Sequence, residues 1–68
     1  MRTYEVKFDY AHMSAVMGLL KGKGLSFRDQ NFEMRCSLVT DVRLDEAIAF
    51  ENDIKDIDGA KFTLLQEA

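Results

Sequence analysis

His12 and Cys36 are the side chains with the base and nucleophile character that acyl transfer or thiol chemistry uses, and each type occurs once in the chain. A working pair must hold both groups within hydrogen-bond reach. Ser14 is two positions from His12, and on a helix residues at that spacing do not face each other. Cys36 shares strand parity with Phe32, Met34 and Leu38, which predicts a buried thiol behaving as a small hydrophobe. His12 then reads as a partly exposed surface histidine. One Cys and one His without paired spacing define no zinc site. Asp53, Asp56, Asp58 and Gly59 have some likeness to a calcium loop but lack its alternating ligands and closing glutamate, so they read as a solvated helix end. Gly22 and Gly24 would cradle a phosphate only by opening a helix; these follow one and so terminate it. The reading is therefore no catalytic, metal-ligating or cofactor-binding residue, no cofactor, and no enzyme.

Two surface features remain as candidates. Lys21, Lys23 and Arg28 form the one basic cluster and could touch an RNA backbone, with the modest, salt-sensitive affinity that three charges supply. On a helical wheel, Ala11, Ser14, Ala15 and Gly18, with Leu19 at the edge, make an outward face of small residues. Charges would be usual there, and Gly18 inside a helix costs about 1 kcal/mol relative to alanine. Such a stripe allows close backbone approach, so it is the candidate docking face for another protein or a neighbouring domain.

The elements that must position these residues follow from periodicity. Tyr4, Val6 and Phe8 alternate with Thr3, Glu5, Lys7 and Asp9, a half-buried strand. Asp9 stands at an N-cap position, and Met13, Val16, Met17 and Leu20 make one apolar helix stripe. Leu25–Asp29 predicts a second strand, Gln30-Asn31 a turn, and the alternation of Phe32, Met34, Cys36 and Leu38 a third strand. Thr40 or Asp41 can cap a second helix with Leu44, Ala47, Phe50, Ile54 and Ile57 on its buried side. Asp58-Gly59 is a turn, and Ala60, Phe62 and Leu64 mark the last strand.

The order β-α-β-β-α-β is the split-βαβ, ferredoxin-like α+β motif. Right-handed crossovers put both helices on one face of an antiparallel sheet ordered 4-1-3-2. The expected core is Tyr4, Val6, Phe8, Met13, Val16, Met17, Leu20, Phe27, Met34, Cys36, Leu38, Ala47, Phe50, Ile54, Phe62 and Leu64. The open sheet face should carry Thr3, Glu5, Lys7, Glu33, Arg35, Ser37, Lys61, Thr63 and Leu65. None is aromatic, unlike the base-stacking positions of RRM-type RNA readers, and the mixed charges predict cross-strand ion pairs.

Sixty-eight residues make one small domain, residues 1–68, with no linker or repeat and no proline. The net charge of −3 is uneven: six basic and four acidic residues in positions 1–35, against three basic and eight acidic in 36–68. That balance gives no general attraction to nucleic acid. No apolar run approaches the ~18 residues of a membrane span, and no signal-peptide pattern opens the sequence, so no membrane association is expected. A single cysteine excludes an internal disulfide and suits a reducing cytoplasm.

Phe8-Asp9-Tyr10 closing an aromatic-rich strand, Met13, Met17 and Leu19-Leu20, Phe32-Glu33-Met34-Arg35-Cys36, a helix centred on Phe50, and Asp58-Gly59 together carry a family resemblance. Over nearly its whole length the chain resembles the small C-terminal domain of the YigZ/IMPACT family. The resemblance implies an elongation-factor-type, ferredoxin-like accessory domain that follows a larger N-terminal domain and has a translation-associated or nucleic-acid-binding role. It also implies that this chain is either an excised domain or a free-standing relative.

Overall fold

The computed structural model describes residues 1–67. Strand β1, Arg2–Asp9, buries Tyr4, Val6 and Phe8 on one side, as its alternation dictates. It pairs antiparallel with β3, Arg35–Val42, so that Tyr4 faces Thr40, Val6 faces Leu38 and Phe8 faces Cys36, all of them buried. Strand β4, Lys61–Glu67, lines the other edge of β1, and β2, Phe27–Phe32, the outer edge of β3. The sheet order is β2-β3-β1-β4, which is 4-1-3-2 read from the opposite edge.

Helix α1, Met13–Gly22, buries Val16 and Leu20; helix α2, Leu44–Lys55, buries Ala47, Phe50 and Ile54. Val16, Leu20, Phe50 and Ile54 join the inward residues of β1 and β3 in one core cluster. Both helices therefore cover the same sheet face, an arrangement compatible with a ferredoxin-like sandwich. Among the described residues, no helix is long and apolar enough to cross a membrane. Tyr4 anchors the interior: its ring lies 5.1 Å from Phe50 and 5.6 Å, edge-on, from Phe62. Its hydroxyl donates to Glu51, and Arg2 ties Glu51 to Glu67 at 3.3 and 3.0 Å. At the end of α1, Gly24 takes φ +69°, and the Leu25 amide donates to the Leu20 carbonyl at 2.9 Å, the glycine termination expected there.

Several expectations are corrected. Gln30 and Asn31 are not the turn; β2 runs through them to Phe32, and the chain reverses at Glu33-Met34. A register shift between Arg28 and Asn31, with Asp29 at φ +54°, absorbs the residues of low strand propensity. Asp is one of the few residues that tolerate this left-handed conformation, and a bulge is where a strand accommodates it. The consequence is that Met34 leaves the core altogether and is 88% exposed. Leu64 faces Tyr4 from the outermost strand and is exposed rather than buried, because an edge strand is incompletely covered by the helices. Leu44 is the first residue of α2 and lies off its buried stripe. Met13, Met17, Phe27 and Phe62 pack half-buried against the core.

In their place Val42 and Thr40 are buried. Thr40 is tolerated there because its hydroxyl donates to the Ser26 carbonyl at 2.6 Å. Since Thr40 and Asp41 lie within β3, the N-cap of α2 is Arg43. Asp9 makes no side-chain capping bond and leads into a 3-10 turn, Tyr10–His12, ahead of α1.

Candidate functional site

The late chain reversal at Glu33-Met34 assembles a surface from two segments distant in sequence. The Tyr10 amide donates to the Met34 carbonyl at 3.2 Å, which holds the 3-10 turn against the β2–β3 turn. Tyr10, Phe32 and Met34 are all exposed, at 61%, 40% and 88%. Together with Ala11 they floor a shallow concavity of about 510 Å³, with Asp9 and Glu33 among its lining residues. Large apolar side chains clustered in the open, with charges around them, are the usual mark of a contact surface.

The candidate docking residues continue from this concavity. Ala11 belongs to both, and Ser14, Ala15 and Gly18 are exposed along α1. A Cβ built at Gly18 would meet nothing within 4 Å, so that position opens directly to solvent. Leu19 differs: it is half-buried and packs against the core rather than joining the outward face.

The basic candidates are brought only partly together. Lys23 and Arg28 line one groove of about 530 Å³ beside Asp41, Arg43 and Glu46, while Lys21 is exposed outside it. Lys23 is already held by Asp53 at 3.1 Å and Arg28 by Asp41 at 2.6 Å. The hydrogen bond from Arg28, then that from Thr3, draws the Asp41 carboxyl below its ordinary value; Asp41 in turn raises Arg28. Carboxylates thus occupy two of the three cations that a phosphate backbone would need.

On the open sheet face one cross-strand ion pair forms, Arg28 of β2 with Asp41 of β3, but the register sets neither Glu5 nor Lys7 of β1 across from an opposite charge. Glu5 faces Val39 and Thr63, whereas Lys7 faces Ser37 and Lys61. Glu33 lies in the β2–β3 turn instead of on this face.

Cys36 is buried and its thiol donates to the Glu33 carbonyl at 3.2 Å. His12 is half-buried, and its Nδ1 is enclosed without a hydrogen-bond partner among the described residues. Gly59, at φ +80°, packs so closely on this ring that a Cβ there would sit 2.9 Å from Nδ1 and Cε1. Among the described residues, no three His, Cys, Asp or Glu side chains group to hold a metal.

The sequence reading missed the Tyr10, Phe32 and Met34 patch because strand parity assigned Phe32 and Met34 to the interior. The run Asp29-Gln30-Asn31 was its signal, since such residues suit a bulge as well as a turn.

These features define a small two-layer α+β domain with an exposed apolar concavity at one end of its first helix. Comparison with protein-family models, with curated proteins and with solved structures yields no match, so the YigZ/IMPACT resemblance stands on its quoted residues alone.

Proposed function

We propose that this chain is a non-catalytic accessory domain, a ferredoxin-like sandwich that docks onto another protein or a neighbouring domain. The observation that carries this reading is the exposed cluster of Tyr10, Phe32 and Met34 next to the small-residue face of Ala11, Ser14, Ala15 and Gly18. An anchor side chain from the partner fills the concavity, and the small residues admit a close backbone alongside it. Asp9 and Glu33 at this site favour Lys or Arg flanking that anchor. The partner segment is therefore apolar at its centre and basic at its margins.

RNA contact through Lys21, Lys23 and Arg28 is the competing reading, in line with the translation-associated role that the family resemblance implies. The carboxylates already paired with Lys23 and Arg28 weigh against it.

Selection from a displayed peptide library tests the choice. Peptides with an apolar anchor between basic residues should be enriched, and Met34→Lys or Ala15→Glu should abolish their binding while circular dichroism stays unchanged. Both positions are exposed, so the changes act on binding and leave the core intact. Selected peptides that bind wild type and both variants equally would refute the docking site. RNA binding at low salt, lost on Lys21→Glu, Lys23→Glu and Arg28→Glu, would replace it with the RNA reading.

A further inference from the structure

A second concavity, of about 600 Å³, lies at one end of the open sheet face, where β3, β1 and β4 run side by side, and Lys7, Arg35 and Lys61 line it with Ser37 and Asp9. Its charge is unbalanced: three cations against one carboxylate. Lys7 and Lys61 are direct cross-strand partners in the β1–β4 register. Like charges in that relation destabilise a sheet. Asp9 is the register partner of Arg35, yet the two form no ion pair. Among the described residues Arg35 and Lys61 have no ion-pair partner at all, and Lys7 reaches only Glu5, at 3.7 Å. The groove near Lys23 and Arg28 is different, because there the carboxylates are built in.

We propose that this concavity binds the phosphate of a small phosphomonoester. A dianion between Lys7 and Lys61 turns their repulsion into two attractions. The guanidinium of Arg35 offers the planar donor fork that matches phosphate oxygens, and the lysines act as point charges around it. Ser37, the register partner of Lys7, adds a neutral hydroxyl donor. All four residues stand on paired strands, so the donors are held by the sheet rather than by a loop. The sequence hid this arrangement, because the three cations are far apart in the chain and only the antiparallel register brings them together.

Amide NMR titration with inorganic phosphate and phenyl phosphate, at constant ionic strength, tests the site. The expected result is a saturable shift of the Lys7, Ser37 and Lys61 amides. Arg35→Gln and Lys61→Glu should each weaken binding at least ~10-fold, the scale of losing one charge-assisted contact. Lys21→Glu, exposed and outside the concavity, should leave the affinity unchanged. Lys61→Glu should also raise the melting temperature of the phosphate-free protein, by placing an opposite charge across from Lys7, so weakened binding is not misread as unfolding. Failure to saturate by about 10 mM would overturn the proposal. So would an equal loss in Lys21→Glu. If single-stranded RNA shifts these amides while neither phosphate does, the face belongs to a polymer and the small-ligand proposal falls.

Discussion

Replacing Gly59 with alanine tests the link between the turn before β4 and the start of α1. At φ +80° an L-residue pays the left-handed backbone penalty, about 1–2 kcal/mol. The new methyl would also sit 2.9 Å from two atoms of the His12 ring and 3.4 Å from a carboxylate oxygen of Asp9. Overpacking of that kind adds about 1–3 kcal/mol, toward the lower end because a half-buried imidazole can swing outward. Against this, alanine narrows the unfolded ensemble by about 0.4–1 kcal/mol. The net expectation is a destabilisation of about 1–3 kcal/mol, read from the urea midpoint by circular dichroism at unchanged slope. His12→Ala combined with Gly59→Ala should recover the steric part and leave the backbone part, a coupling of about 1 kcal/mol or more in a double-mutant cycle. A single variant within about 0.5 kcal/mol of wild type, the range of an ordinary surface change, would refute the close packing of Gly59 on His12.

Phe50→Ala removes a fully buried ring packed at a tilt on Tyr4 and should cost about 3–5 kcal/mol, a large share of the roughly 3–10 kcal/mol available to a domain of this size. Thermal denaturation should show a melting temperature lowered by more than about 10 °C; a cooperative transition close to that of wild type would refute its central place in the core. Gly18→Ala should stabilise the protein by about 0.5–1 kcal/mol in urea, since the added methyl meets nothing and α1 gains helix propensity. Tyr4 gives a pH dependence. Burial, then its hydrogen bond to Glu51, raises its pKa above the ordinary 10.0, with Arg2 opposing. Its contribution to stability is complete below pH 10.0 and declines as pH climbs past that value, where the unfolded phenol ionises and the folded one does not. In a Tyr10→Phe background Tyr4 is the only tyrosine, so phenolate absorbance should appear together with alkaline unfolding; ionisation at pH 10.0 in a still-folded protein would contradict it.

The two proposed surfaces follow from how the fold is built. The helix face of the sheet is spent on the core, which leaves the opposite face free to gather charge at Lys7, Arg35 and Lys61. The apolar concavity lies where the 3-10 turn meets the β2–β3 turn, beside the small-residue face of α1. A partner at the apolar site and an anion at the basic site would meet at Asp9, which lines both, so Met34→Lys should be silent for the anion and Lys61→Glu for the partner.

Local chemistry was enough for much of the architecture. The two-residue alternation of Tyr4, Val6 and Phe8 and the helical spacing of Ala47, Phe50 and Ile54 are properties of short segments, and topology rules then dictated the sheet order. The burial of Cys36 and the termination of α1 around Gly24 were legible for the same reason. Parity failed at Met34, because a bulge at Asp29 shifts the chain reversal and parity cannot count through an irregularity. Thr40 was overlooked because its polar type argues against burial until the Ser26 carbonyl is known to receive its hydroxyl. The fate of each charge was least legible. Lys21, Lys23 and Arg28 are close together in the chain, but Asp53 and Asp41, which neutralise two of them, arrive from α2 and β3. Lys7 and Lys61 are far apart in the chain and meet only through the β1–β4 register. Periodicity is carried along the backbone and can be read there, whereas electrostatic balance depends on through-space distance, which only the folded chain decides.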